Sequence, residues 1–177
     1  MTLLALSGCS AGGEGALAKR STSPGSWSEE VQQAYDKATD AAIKQTLRDG
    51  RISDQEYSEM KQRYSDCLKG GGITLKRYDF EGSEYVPPTS MSSDEAHDIE
   101  SRCSDQSGEY PISYFYVQMR ANPTHSNLAQ AVVDCFKRRG LVGPGYGLKD
   151  YQAGDLPTSN DKAVAACSTD PNGLLGG

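Results

Sequence analysis

Apolar residues recur at helical spacing from residue 26 to 48, where Val31, Ala34, Tyr35, Ala38, Ala42 and Leu47 share one face. Ser26 and Glu29 stand as an S-x-x-E capping box at the start, and Gly50 follows the last apolar position. One helix from Ser26 to about Arg48 is therefore expected. A second box, Ser53 with Glu56, opens a stripe of Tyr57, Met60, Tyr64, Cys67 and Leu68 that stops at Gly70-Gly71-Gly72. These two helices are expected to fold as a hairpin. The period then changes: Ile73-Thr74-Leu75 and Glu84-Tyr85-Val86 flank a turn at Glu81-Gly82-Ser83 and end at Pro87-Pro88, which predicts a short β-hairpin within 73–87.

Helical spacing returns with Ala96, Ile99 and Cys103 behind a third box, Ser92 and Glu95. Ile112, Phe115, Tyr116 and Met119 continue it up to Asn122-Pro123, although several of these residue types also favour strand. Leu128, Val132, Cys135 and Phe136 mark a helix over about 126–139, with Lys137-Arg138-Arg139 at the end where the helix dipole favours cations. A loop rich in Gly, Pro and Tyr leads to a short helix over about 159–167, and the last residues, 169–177, read as a frayed tail. The fold class expected is mainly α: a small helical domain of about five to six helices over 26–168, with the β-hairpin near 73–87.

Composition shows what such a domain must overcome. Leu, Ile, Val and Phe together number 28 of 177 residues, below the roughly 20% that builds a core comfortably. Ten tyrosines and four evenly spaced cysteines must compensate. Mean hydropathy is −0.62, and no run is long enough for a membrane-spanning helix. The net charge of −6 argues against nucleic acid as a partner, because phosphate neutralisation needs a basic face. Acidity is concentrated: residues 79–109 carry nine acids against one base, Arg102. A solvated face is the plain reading of this belt, and a site for a cationic ligand or partner the sharper one.

The first nine residues form an apolar stretch ending in Leu6-Ser7-Gly8-Cys9, which resembles the lipobox of bacterial lipoproteins. The resemblance implies that Cys9 carries a diacylglyceryl group and becomes the first residue after cleavage. Residues 1–8 contain no Lys or Arg, so they are expected to be the end of a truncated signal peptide whose start lies upstream of Met1. Residues 9–25, rich in Gly, Ala and Ser, read as a lipidated flexible tether to the outer face of a cell membrane.

With Cys9 assigned to lipid, Cys67, Cys103, Cys135 and Cys167 remain at intervals of 36, 32 and 32 residues. An even number in an exported chain implies two disulfides. Each cysteine lies on the apolar stripe of an expected helix. Neighbouring helices are usually adjacent in space, which favours Cys67 with Cys103 and Cys135 with Cys167. Zinc would want close cysteine pairs, and none exists.

Candidate chemistry is sparse. Asp49-Gly50-Arg51-Ile52 through Glu56 resembles half of a calcium loop, but two of its liganding positions would be Gln45 and Leu47, and leucine has no oxygen to offer. No metal or other cofactor is expected. His97 and His125 sit in no catalytic signature. The carboxylates Asp94, Glu95, Asp98 and Glu100 lack the unequal environments that acid–base pairs need. Tyr110, Tyr114, Phe115 and Tyr116 cluster, with Tyr146 and Tyr151 further on, and suit either core or contact with a glycan or peptide.

Beyond the lipobox, the order of features resembles a group of actinobacterial secreted lipoproteins of unknown function. The stretches that carry it are Asp49-Gly50-Arg51-Ile52-Ser53 with Glu56-Tyr57, Tyr64-Ser65-Asp66-Cys67-Leu68, Asn122-Pro123, Val133-Asp134-Cys135-Phe136 with Gly140, and Ala166-Cys167 through Asp170-Pro171. The expectation is a non-enzymatic, lipid-anchored envelope protein that binds an envelope protein or ligand. The alternative is a small envelope hydrolase using His125 or His97 with a nearby carboxylate or hydroxyl; clustering of His125 with such groups in a concave pocket would favour it.

Overall fold

The computed structural model describes residues 26–80 and 82–176. The expected signal peptide 1–8, Cys9 and the expected tether to Gly25 lie outside the described residues. In chain order the elements are α1 Ser28–Lys37, α2 Ala41–Leu47, α3 Asp54–Gly70, β1 Thr74–Asp79, β2 Gly82–Val86, α4 Ser93–Ser107, α5 Glu109–Ala121, α6 Ala129–Arg138, α7 Leu148–Gln152 and α8 Asp161–Thr169. The fold is mainly helical with one antiparallel β-hairpin, and has more helices than the apolar pattern predicts. No helix of the described residues is long and apolar enough to cross a membrane.

The single helix expected over 26–48 is broken in two. Ala38 takes an extended ψ of 138°, and the Asp40 carboxylate accepts from the N–H groups of Ala42 at 2.8 Å and Ile43 at 3.1 Å, starting α2 afresh. Nor does the Ser26–Glu29 box form: Trp27 is the N-cap, and the Ser26 hydroxyl donates to the Pro123 carbonyl at 2.6 Å. The break turns Ile43 and Leu47 into the core beside α5. The expected helical hairpin is also absent, because α3 packs chiefly on α4, α5 and β1.

α3 is the helix its stripe predicts. Ser53 and Glu56 form a reciprocal capping box, and Tyr57, Met60, Tyr64 and Leu68 are buried along its length. The first two join a cluster with Trp27, Val31, Leu47 and Phe115, and the last two join Ile73, Ala96, Ile99 and Cys103. In the hairpin, Leu75 pairs with Tyr85 and Tyr78 with Ser83, with an irregularity between Leu75 and Arg77. That extra residue changes the alternation so that Leu75 and Tyr78 both turn inward.

α4 and α5 meet at Gly108, whose φ of 71° few side chains adopt. A Cβ there would lie 2.7 Å from Ile43 Cγ1, so the glycine also lets α2 approach the corner. The run after Pro111 is helix, with Pro111 in the first turn of α5 where its missing N–H has no intrahelical partner to lose.

The C-terminal third has its own core of Val132, Cys135, Phe136 and Cys167, with α7 and α8 packed on α6. α6 begins at Ala129, three residues later than expected, because the Asn122 side chain bridges to the N–H and C=O of Ser126 at 2.9 Å each and holds that turn open. The described residues after α8 are packed and hydrogen-bonded rather than loose, unlike the tail expected from the sequence. Pro171 is fully buried and its carbonyl accepts from Arg138 at 2.7 Å, while Asp170 accepts from Leu174 and Leu175 N–H at 2.8 Å. Leu175 packs on the cluster around Trp27, tying the chain end back to the first core.

Cys67 is bonded to Cys103 and Cys135 to Cys167, with Cα–Cα distances of 5.5 and 5.7 Å. The first joins α3 to α4 and the second α6 to α8. Replacing Cys135 and Cys167 together by Ser is expected to lower stability by about 3–4 kcal/mol in the chain-entropy account, read as a lower urea midpoint. Gly108→Ala should cost about 1–3 kcal/mol in the same assay, since it combines left-handed strain with the approach to Ile43.

Candidate functional site

The break between α1 and α2 and the corner between α4 and α5 face a common groove of about 1060 Å³. Ala34, Ala38, Ile43, Pro111 and Phe115 give it apolar lining, and Glu30, Asp40 and Asp105 place carboxylates there alongside Lys37. The lining comes from two segments distant in the chain, 30–43 and 104–115, so the apolar pattern does not announce it.

Tyr110 and Tyr114 line the groove and also a shallow depression of about 220 Å³ bounded by Phe80 and Ser113. They form a ridge between two concavities. Their rings are stacked at 6.1 Å and 20°, and the residues are 71% and 42% exposed. The aromatic cluster expected from sequence is thus divided: Phe115 and Tyr116 enter the core, while Tyr110 and Tyr114 stand at the surface. Tyr146 and Tyr151 pack edge-on against Phe136.

His125 is used structurally. Its ring stacks on Trp27 at 3.9 Å, Nδ1 lies 2.9 Å from the Ser26 carbonyl, and Nε2 lies 3.4 Å from Glu30. The Trp27 indole donates to the Asn122 carbonyl at 2.9 Å, so the start of α1 is fixed to the connection after α5. The nearby hydroxyls of Thr124 and Ser126 lie 3.1 Å from each other, while the imidazole nitrogens face the Ser26 carbonyl and Glu30. His97 is exposed on α4, with Nδ1 4.0 Å from Glu100. The two histidines share no partner.

The acidic belt is partly internal. Glu100 accepts from the Tyr64 hydroxyl at 3.0 Å, and Glu109 accepts from the hydroxyls of Tyr78 and Ser104. Burial first, and then these carboxylates, push the Tyr64 and Tyr78 phenols well above their ordinary range. Asp94, Glu95, Asp98 and Asp105 remain exposed. The half calcium loop is a helix entry: Asp49 accepts from Arg51 N–H at 3.0 Å, and Glu56 accepts from Ser53 N–H at 2.8 Å. Among the described residues no three His, Cys, Asp or Glu side chains gather as a metal would require.

Compared with known proteins, the chain matches no family model, no curated protein and no solved structure.

Buried phenols make stability depend on alkaline pH. Burial, with the Tyr116 ring stacked at 3.8 Å, pushes Tyr57 up to about 12, against about 10 in the unfolded chain. Its contribution is complete below about pH 10 and is lost as pH rises towards 12, because only the unfolded chain releases the proton in that window. Urea midpoints are expected to fall over that range, and Tyr57→Phe should make the decline shallower.

Proposed function

We propose that this protein is a lipid-anchored cell-envelope module that acts by binding rather than catalysis, with the groove between the α1–α2 break and the α4–α5 corner as its binding surface. The observation that carries the binding reading is the tyrosine ridge. Tyr110 and Tyr114 leave large aromatic faces in water beside a concave apolar lining, although the chain is poor in hydrophobes and every other described aromatic is buried or half-buried. The anchor rests on Leu6-Ser7-Gly8-Cys9 and the small-residue stretch after it. Two acyl chains on Cys9 would hold the protein firmly where one would bind only marginally. The hydrolase alternative is less well supported, since both ring nitrogens of His125 already have partners.

Two measurements test the two halves separately. Expressed with a complete upstream signal, the protein should partition into detergent and carry a diacylglyceryl mass on Cys9; Cys9→Ala should abolish partitioning without changing the circular dichroism spectrum. A soluble wild-type protein with unmodified Cys9 would end the anchoring half. A photo-crosslinking residue at position 110 should give a discrete adduct in the native envelope, and the same residue at exposed position 165 on α8 should not. Equal labelling at both positions would end the groove reading.

A further inference from the structure

Resting on that reading of the groove, we propose that its occupant is an arginine-bearing peptide segment of a partner protein. The fold itself shows which ligand chemistry its tyrosine and carboxylate pairs accept. Arg120 lays its guanidinium over the Tyr116 ring at 3.5 Å from the centroid and is paired with Asp54, which also accepts from the Tyr116 hydroxyl at 3.0 Å. Lys61 lies over Tyr57 at 4.8 Å and Lys44 over Tyr35 at 5.4 Å. An aromatic face with a carboxylate beside it is a cation seat, and the planar guanidinium uses both parts at once.

The groove repeats that combination on a larger scale. Tyr110 and Tyr114 supply open ring faces, and Glu30, Asp40 and Asp105 outnumber the single base Lys37 in the lining. Asp40 is engaged in capping α2 and Glu30 faces His125, so Asp105 is the carboxylate with no side-chain partner among the described residues. It lies near the end of the acidic 79–109 belt, in a molecule of net charge −6, so a basic segment is drawn to this face from solution. A volume of about 1060 Å³ is at the upper end of small-ligand sites and accommodates several side chains. Charge complementarity thus favours a basic peptide over a neutral glycan, which would use the tyrosine faces but gain little from the carboxylates.

The test is calorimetric titration of the whole protein with an acetylated Gly-Arg-Gly-Arg-Gly-Arg amide, its citrulline counterpart and an N-acetylglucosamine hexasaccharide. The arginine peptide should bind, more weakly at higher salt, and the citrulline peptide should bind at least tenfold more weakly. Tyr110→Ala should weaken binding about fivefold or more, Tyr110→Phe should retain it, and Asp105→Asn should weaken it severalfold. Asp94→Asn, on the same acidic helix but outside the groove lining, should leave it unchanged. Peptide binding that ignores Tyr110 and Asp105, or that Asp94→Asn weakens equally, would overturn the proposal by showing attraction to the acidic surface at large. Binding of the saccharide in place of the peptide, lost in Tyr110→Ala, would overturn the occupant and leave the groove reading standing. No binding of any probe, together with a position-specific adduct at residue 110, would likewise reject the arginine peptide alone; absence of that adduct as well would remove both.

Discussion

The buried stripe of α3 is the constraint on which the described fold rests. Tyr57, Met60, Tyr64 and Leu68 follow one another at helical spacing and are each no more than 4% exposed, so one helix contributes to two hydrophobic clusters. α5 packs on its first half, where α1 and α2 share the same cluster, and the hairpin and α4 pack on its second. A chain with few aliphatic residues can do this only with large side chains, and tyrosine supplies the area that leucine or isoleucine would supply elsewhere.

Using tyrosine this way places hydroxyls inside, where an unsatisfied polar group costs about as much as a hydrogen bond contributes, and most of them find a carboxylate while the buried Tyr57 hydroxyl does not. Glu100 meets Tyr64, Glu109 meets Tyr78, and Asp54 meets Tyr116. Part of the acidic belt is therefore the complement of the tyrosine core rather than a separate functional surface. What remains outside this pairing is what makes the groove distinctive: Tyr110 and Tyr114 keep their faces in water, and Asp105 keeps its carboxylate there.

The C-terminal third solves the same shortage differently. Its buried core is small, Phe136 with Val132, Cys135 and Cys167 and the half-buried Tyr146 and Tyr151 at its rim, and the Cys135–Cys167 bond joins α6 to α8 across it. The chain end is then held through Arg138, Pro171 and Leu175. Taken by composition alone, Gly and Asn there suggest fraying; the burial of Pro171 and the double acceptance by Asp170 decide otherwise.

Local signals were sufficient for α3 and α4, where a serine cap opens directly onto a buried stripe. The Ser53–Glu56 box with the Tyr57 stripe, the Ser92 cap with Ala96, Ile99 and Cys103, and the pairing of neighbouring cysteines were all legible, because period and capping are properties of a few consecutive residues. The break at Thr39-Asp40 was not. A long amphipathic helix and two short ones share nearly the same apolar spacing there, and the choice falls to Asp40 capping α2 while Ile43 packs against the Gly108 corner. For the same reason the groove, the division of the aromatic cluster into buried and exposed members, and the use of His125 to hold Trp27 belong to the tertiary structure. Each depends on which distant segment comes to lie alongside, and contacts such as His125 with Ser26 span 99 residues, beyond what any local pattern encodes.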